Sequence, residues 1–157
     1  MKKIGKLTML FLLCAMMVVA AAACGTPAEE EGGEDNGKIY TMSGAYEPTT
    51  IVLTDGTETA YTDYISDMLA EQGIVEGTES YETSMNTFQT VYDIHGDGTL
   101  TATMGGAAVE GTYSFGEGSE GTMTVNNVEL SFTFDSTSNV ITIHDESGVN
   151  TVLERQQ

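Results

Sequence analysis

The sequence predicts a mainly β protein: an antiparallel up-and-down barrel, or a strongly curved meander sheet closing on itself, of about eight strands with one short α-helix. Three observations lead there. From Lys38 onward, β-branched and aromatic residues alternate with polar ones between Gly, Asn and Asp turns. Between residues 88 and 154 strand and turn recur about every ten residues, and no connection is long enough to need a crossover helix. Residues 60–72 alone carry a helical period.

The elements follow in order. Residues 39–46 form a first strand, which 49–53 extend or flank before the Asp55-Gly56 turn. Tyr61, Ile65, Met68 and Leu69 make the stripe of the helix, with Thr57 or Thr59 to cap its start and Gly73 at its left-handed stop. Residues 74–86 alternate only weakly. Phe88, Tyr92 and Ile94 then share a strand face before the turn at Gly96-Asp97-Gly98. Leu100, Ala102 and Met104 come next, then Val109, Tyr113 and Phe115 after Gly105-Gly106. Met123 and Val125 lead to Asn126-Asn127, a pair suited to the positive-φ positions of a type I′ hairpin. Val128, Leu130, Phe132 and Phe134 alternate with Glu129, Ser131 and Thr133, and strands holding Ile141, Ile143, Val149 and Leu153 complete the set. Closure into a barrel would remove strand edges that this chain has almost no lysine to guard.

Residues 1–23 read as a targeting signal: Lys2, Lys3 and Lys6, an apolar run from residue 7, then four alanines before Cys24. This segment resembles a bacterial lipoprotein signal, in which the cysteine receives a diacylglycerol. It departs at the third residue before the cysteine, where Ala21 stands in place of the usual Leu. Ordinary cleavage after Ala23 and a short retained span are the other readings of the same residues. Lipidation of Cys24 would hold the protein on a membrane by its two acyl chains. Residues 24–37 then form an acidic, flexible tether with Glu29, Glu30, Glu31, Glu34 and Asp35, and residues 38–157 form the barrel domain.

The formal net charge is -19, and three of the five basic side chains lie in the signal, leaving Lys38 and Arg155. Such a surface repels phosphate backbones, which argues against a nucleic-acid partner, and leaves a basic protein partner or calcium as charged alternatives. Cys14 and Cys24 both fall at the N-terminus, so the domain has neither a disulfide nor a thiol for metal or nucleophilic chemistry.

The turn at Asp97-Gly98-Thr99, Gly111-Thr112-Tyr113 and the closing Leu153-Glu154-Arg155, with the helix ending at Gly73, resemble the lipocalin-like domains of small lipoproteins from Gram-positive bacteria. Tyr113 stands where that pattern commonly has Trp. The resemblance implies an extracytoplasmic barrel and assigns no activity.

No catalytic constellation emerges. Asp93-x-His95-x-Asp97-Gly98 matches half of a calcium loop, but the twelfth position is Met104, and the residues also make a hairpin turn. His95 and His144, the only histidines, have no evident serine partner. No cofactor or metal set is expected. Tyr92, Met104, Tyr113, Phe115, Phe132 and Phe134, joined by Met123, would line the barrel, either as a ligand-binding pocket or as a packed core. The expectation is a non-enzymatic, exported, lipid-anchored module that takes a small or apolar ligand in the barrel mouth under the helix. The alternative is an acidic envelope protein that engages a basic partner or calcium.

Overall fold

The computed structural model describes residues 40–156, so the expectations for the signal, Cys24 and the tether lie outside the described residues. Within them run β1 (Gly44–Val52), β2 (Glu58–Ala60), α1 (Tyr61–Glu71), α2 (Glu79–Phe88), β3 (Thr90–Ile94), β4 (Thr99–Met104), β5 (Ala107–Phe115), β6 (Glu120–Val125), β7 (Val128–Asp135), β8 (Val140–His144) and β9 (Asn150–Arg155). The strands pair antiparallel in sequence order, and β9 returns to β1. Eight strands therefore close the barrel, and β2 is a short spur on β1.

Several turns form for the reasons legible in the chain. Asn126 and Asn127 have φ of 50° and 62°, the left-handed pair of a type I′ hairpin between β6 and β7. Asp55, Asp97, Asp135 and Asp145 each accept a hydrogen bond from the backbone N–H two residues on, at Thr57, Thr99, Thr137 and Ser147. These are Asx turns, in which the side chain mimics a backbone carbonyl.

Four details differ from the sequence reading. The first strand is one element, Gly44–Val52, carrying a bulge between Pro48 and Thr50 rather than a break. There are two helices rather than one. Tyr81, Met85 and Phe88 give α2 a stripe at i, i+4 and i+7 that the surrounding Thr, Ser and Asn residues dilute, and the Thr78 hydroxyl caps it by accepting from Tyr81 N–H. Phe88 accordingly ends α2 instead of beginning a strand. Lastly, α1 has Ala60 at its N-cap with no side-chain cap, because Thr59 is in β2 and Thr57 in the Asp55 turn. Its other end is as expected: Gly73 at φ 80° and Ile74 N–H bonded back to Leu69 O form a Schellman stop.

The barrel is filled. Met42, Tyr46, Leu100, Ala102, Met123, Ile141 and Leu153 are fully buried, in one cluster with Phe132 and Phe134. Residues 40–43 seal one end. Met42 enters the core, Tyr40 stacks 5.6 Å from the Phe115 ring, and the Tyr113 hydroxyl reaches Met42 O and His95 O at 3.2 and 2.8 Å. At the other end α1 buries Tyr64, Ile65, Met68 and Leu69. No helix among the described residues is long and apolar enough to cross a membrane.

Candidate ligand-binding cleft

The closure of the barrel is incomplete at one seam. On one edge β1 pairs with β9 from Tyr46 to Val52. On its other edge, Gly44, Ala45 and Tyr46 pair with Ile94, Asp93 and Tyr92 of β3, while Thr50, Ile51 and Val52 pair with β2. Glu47, Pro48 and Thr49 between them have no strand partner on that edge. Pro48 explains part of this, since it has no N–H for the ladder, and the bulge turns the strand away from β3.

Where β1 and β3 part, α1 and α2 lie across the gap and leave a cleft of about 350 Å³. Its walls are mainly apolar: Pro48, Tyr61, Ile65, Met85, Phe88 and Val91. Glu47 supplies the one ionisable carboxylate in the lining, beside Thr62, Gln89 and Thr90. The Tyr61 hydroxyl donates to Phe88 O at 3.1 Å and so pins the C-terminal end of α2. Tyr81 on α2 reaches the Ser66 hydroxyl of α1 at 3.1 Å. Otherwise α2 is loosely held, for none of its residues is buried.

The six aromatic and methionine residues expected to line one site fall in three places. Tyr113, Phe115, Phe132 and Phe134 do meet, with ring centroids 5.5 to 6.2 Å from Phe115, but they pack the end sealed by residues 40–43. Gly121 lets Phe132 in: a Cβ there would stand 2.5 Å from the Phe132 ring. Tyr92 lies further along the interior face, in register with Tyr46 and Ala102, and burial pushes its hydroxyl up to about 12. Met104 sits at the far end of β4, opposite Thr90. None of the six lines the seam cleft. Sequence reasoning missed the cleft residues because they come from three separated segments, although a proline inside a strand was a usable signal of an unpaired edge.

The burial of Tyr61, with Tyr92 close by, pushes its phenol well above the ordinary range, so it is a neutral hydrogen-bonding group. Tyr46 is also raised, chiefly by burial, with the Arg155 charge opposing the shift. Its hydroxyl is buried without a hydrogen-bond partner, as is that of Thr49 on the bulge.

A second, open groove of about 430 Å³ lies across β5 to β8; Ser114, Thr122, Ser131, Thr133 and His144 line it together with Phe115 and Phe132, two of the six expected residues. There His144 is held on both sides, with Nε2 2.7 Å from Thr133 Oγ1 and Nδ1 3.0 Å from Asn150 Oδ1. His95 is in the turn between β3 and β4 and His144 at the β8–β9 end, so the two do not converge. Asp97 spends its Oδ1 on Thr99, whose N–H and hydroxyl both donate to it, as a turn requires. Among the described residues no three of His, Cys, Asp and Glu gather as metal ligands.

No protein-family model and no curated protein matches the chain. Among solved structures it is similar to a DUF4847 family protein from Bacteroides vulgatus ATCC 8482, at 12% identity and a TM-score of 0.49, over 74% of this chain and 94% of that one.

Proposed function

We propose that the chain is an exported lipoprotein, tethered through Cys24 to the extracytoplasmic face of a membrane, whose barrel is a non-enzymatic binding module for a small apolar ligand. The observation that carries the reading is the apolar cleft at the β1–β3 seam. A filled barrel leaves no room for a ligand among Phe132, Phe134 and Met123, so binding moves to the place where the sheet opens. A ligand there replaces water against Pro48, Ile65, Met85 and Phe88 and gains the hydrophobic free energy of that contact. The loosely packed α2 is the wall that yields on entry, as expected of a segment with no buried side chains.

Native mass spectrometry of the protein gently extracted from its own membranes tests both halves. The expected result is a diacylated Cys24 and a retained small-molecule mass, which Met85→Lys removes. An unmodified Cys24 would overturn the tether. A ligand retained by Met85→Lys and by Phe88→Lys would place binding elsewhere.

The charge pattern favours a second reading, an acidic accessory protein that engages a basic partner or calcium. Arg155 is the only lysine or arginine among the described residues. Association of that kind weakens steeply with salt, and salt-insensitive binding would count against it.

A further inference from the structure

We propose that the seam cleft selects an apolar cation, such as a hydrophobic amine or quaternary ammonium, with the Glu47 carboxylate as its counter-charge. This rests on the reading of the cleft as the binding site and names the ligand class.

Three observations converge. The first is the composition of the walls: apolar side chains, the two aromatic rings of Tyr61 and Phe88, and Glu47 as the sole ionisable carboxylate, with no cationic side chain to receive an anion. A ring face and a carboxylate around an apolar pocket are the elements that hold an organic cation. The second is the register of β1 on β9, which sets Glu47 directly opposite Glu154. Like charges facing across an antiparallel pair repel, and a bound cation would relieve that repulsion. The third is the field around the cleft. The one described basic side chain, Arg155, follows Glu154 in β9 but lies over Gly44, at the end of the β1–β3 pairing away from the cleft. The remaining charged side chains are acidic, which draws cations toward the surface and turns anionic amphiphiles away.

The test is an amide-resolved NMR titration of the full chain with three probes of similar size: benzyltrimethylammonium, benzyl alcohol and benzenesulfonate. Signals of Tyr61, Met85, Phe88 and Val91 report occupancy of the cleft. The expected result is that the ammonium binds about tenfold more tightly than the alcohol and that the sulfonate does not bind. Glu47→Gln should remove the ammonium's advantage and leave alcohol binding unchanged, with the melting temperature showing that the fold is intact. If the unaltered cleft binds the alcohol and the ammonium alike, or if the ammonium keeps its advantage in Glu47→Gln, the cation proposal fails and the apolar binding site stands. If neither probe shifts the cleft signals, both the cation proposal and the cleft reading fall.

Discussion

Arg155 lies across Gly44: a Cβ at that position would stand 2.6 Å from Arg155 Nε and 3.2 Å from Cζ. The last strand thus folds its terminal guanidinium over the beginning of the first, beside the buried Tyr46 with which Arg155 is in register. Gly44 also has a φ of 114°, which an L-residue resists. Gly44→Ala is therefore expected to lower stability by about 1–2 kcal/mol from backbone strain alone, with the displaced arginine adding to it. Urea denaturation reads this, and an unchanged midpoint would show that neither the φ of Gly44 nor the arginine over it bears on stability.

Phe132 is 1% exposed and stands against Gly121 and the Phe115 ring. Phe132→Ala should cost about 3–5 kcal/mol, the usual range for emptying a packed aromatic site. Gly121→Ala should be destabilising for the opposite reason, overpacking, by about 1–3 kcal/mol. A small effect of either change in urea or thermal unfolding would mean that this end of the barrel is not densely packed.

Three turn aspartates make stability sensitive to acid. The Thr57 hydroxyl and amide hold Asp55 below the ordinary carboxylate value, those of Thr99 do the same to Asp97, and the Ser138 hydroxyl leads for Asp135. Folding lowers these pKa values, so the native state binds fewer protons than the unfolded chain. The contribution is complete above the unfolded value of about 3.9 and is lost as pH falls through the lower folded values. All three groups are exposed, so each contribution is modest. Urea midpoints measured down to about pH 2 should fall on acidification, and less steeply for Asp97→Asn. An identical slope in that variant would exclude the turn as the cause.

Tyr92 contributes to the alkaline limb, beside Tyr61, Tyr46 and Tyr113, which burial also raises. Its folded value of about 12 exceeds the ordinary phenol value, so folding favours the neutral form. Stability is complete below about pH 10 and declines as pH rises through the folded value. Absorbance at tyrosinate wavelengths should show Tyr92 ionising with unfolding, and Tyr92→Phe should move the alkaline transition upward.

Tyr61 ties α2 to the barrel through one hydrogen bond to Phe88 O. Tyr61→Phe should cost about 1 kcal/mol globally. Its larger effect should be on hydrogen exchange, with α2 amides losing protection while β4 to β7 keep theirs. Equal protection before and after would mean that the Ser66–Tyr81 bond and the Gly105 N–H to Gln89 O bond restrain α2 without it.

Strand periodicity and turn chemistry were legible without coordinates. Alternation in Val128, Leu130, Phe132 and Phe134 set the inner face of β7, and Asn126-Asn127 set its hairpin, because both depend on neighbours in the chain. The second helix was legible only in part. Tyr81, Met85 and Phe88 had the spacing, but a helix with no buried residue has little apolar signal to display.

By itself, then, the sequence determined the class of the protein: a mainly β chain of about eight antiparallel strands, with its acid excess and its cysteines confined to the N-terminus. These follow from local propensity, period and composition. Only the tertiary structure decided where a ligand would fit. The inward aromatics could line a pocket or, as is more usual, fill one, and the difference depends on how far residues 40–43 reach across the end and how α1 covers the other. The cleft arises because β1 is shared between β2 and β3 along one edge, with Pro48 in the interval. Pairing over such separations is a property of the closed sheet, and no local pattern in the chain records it.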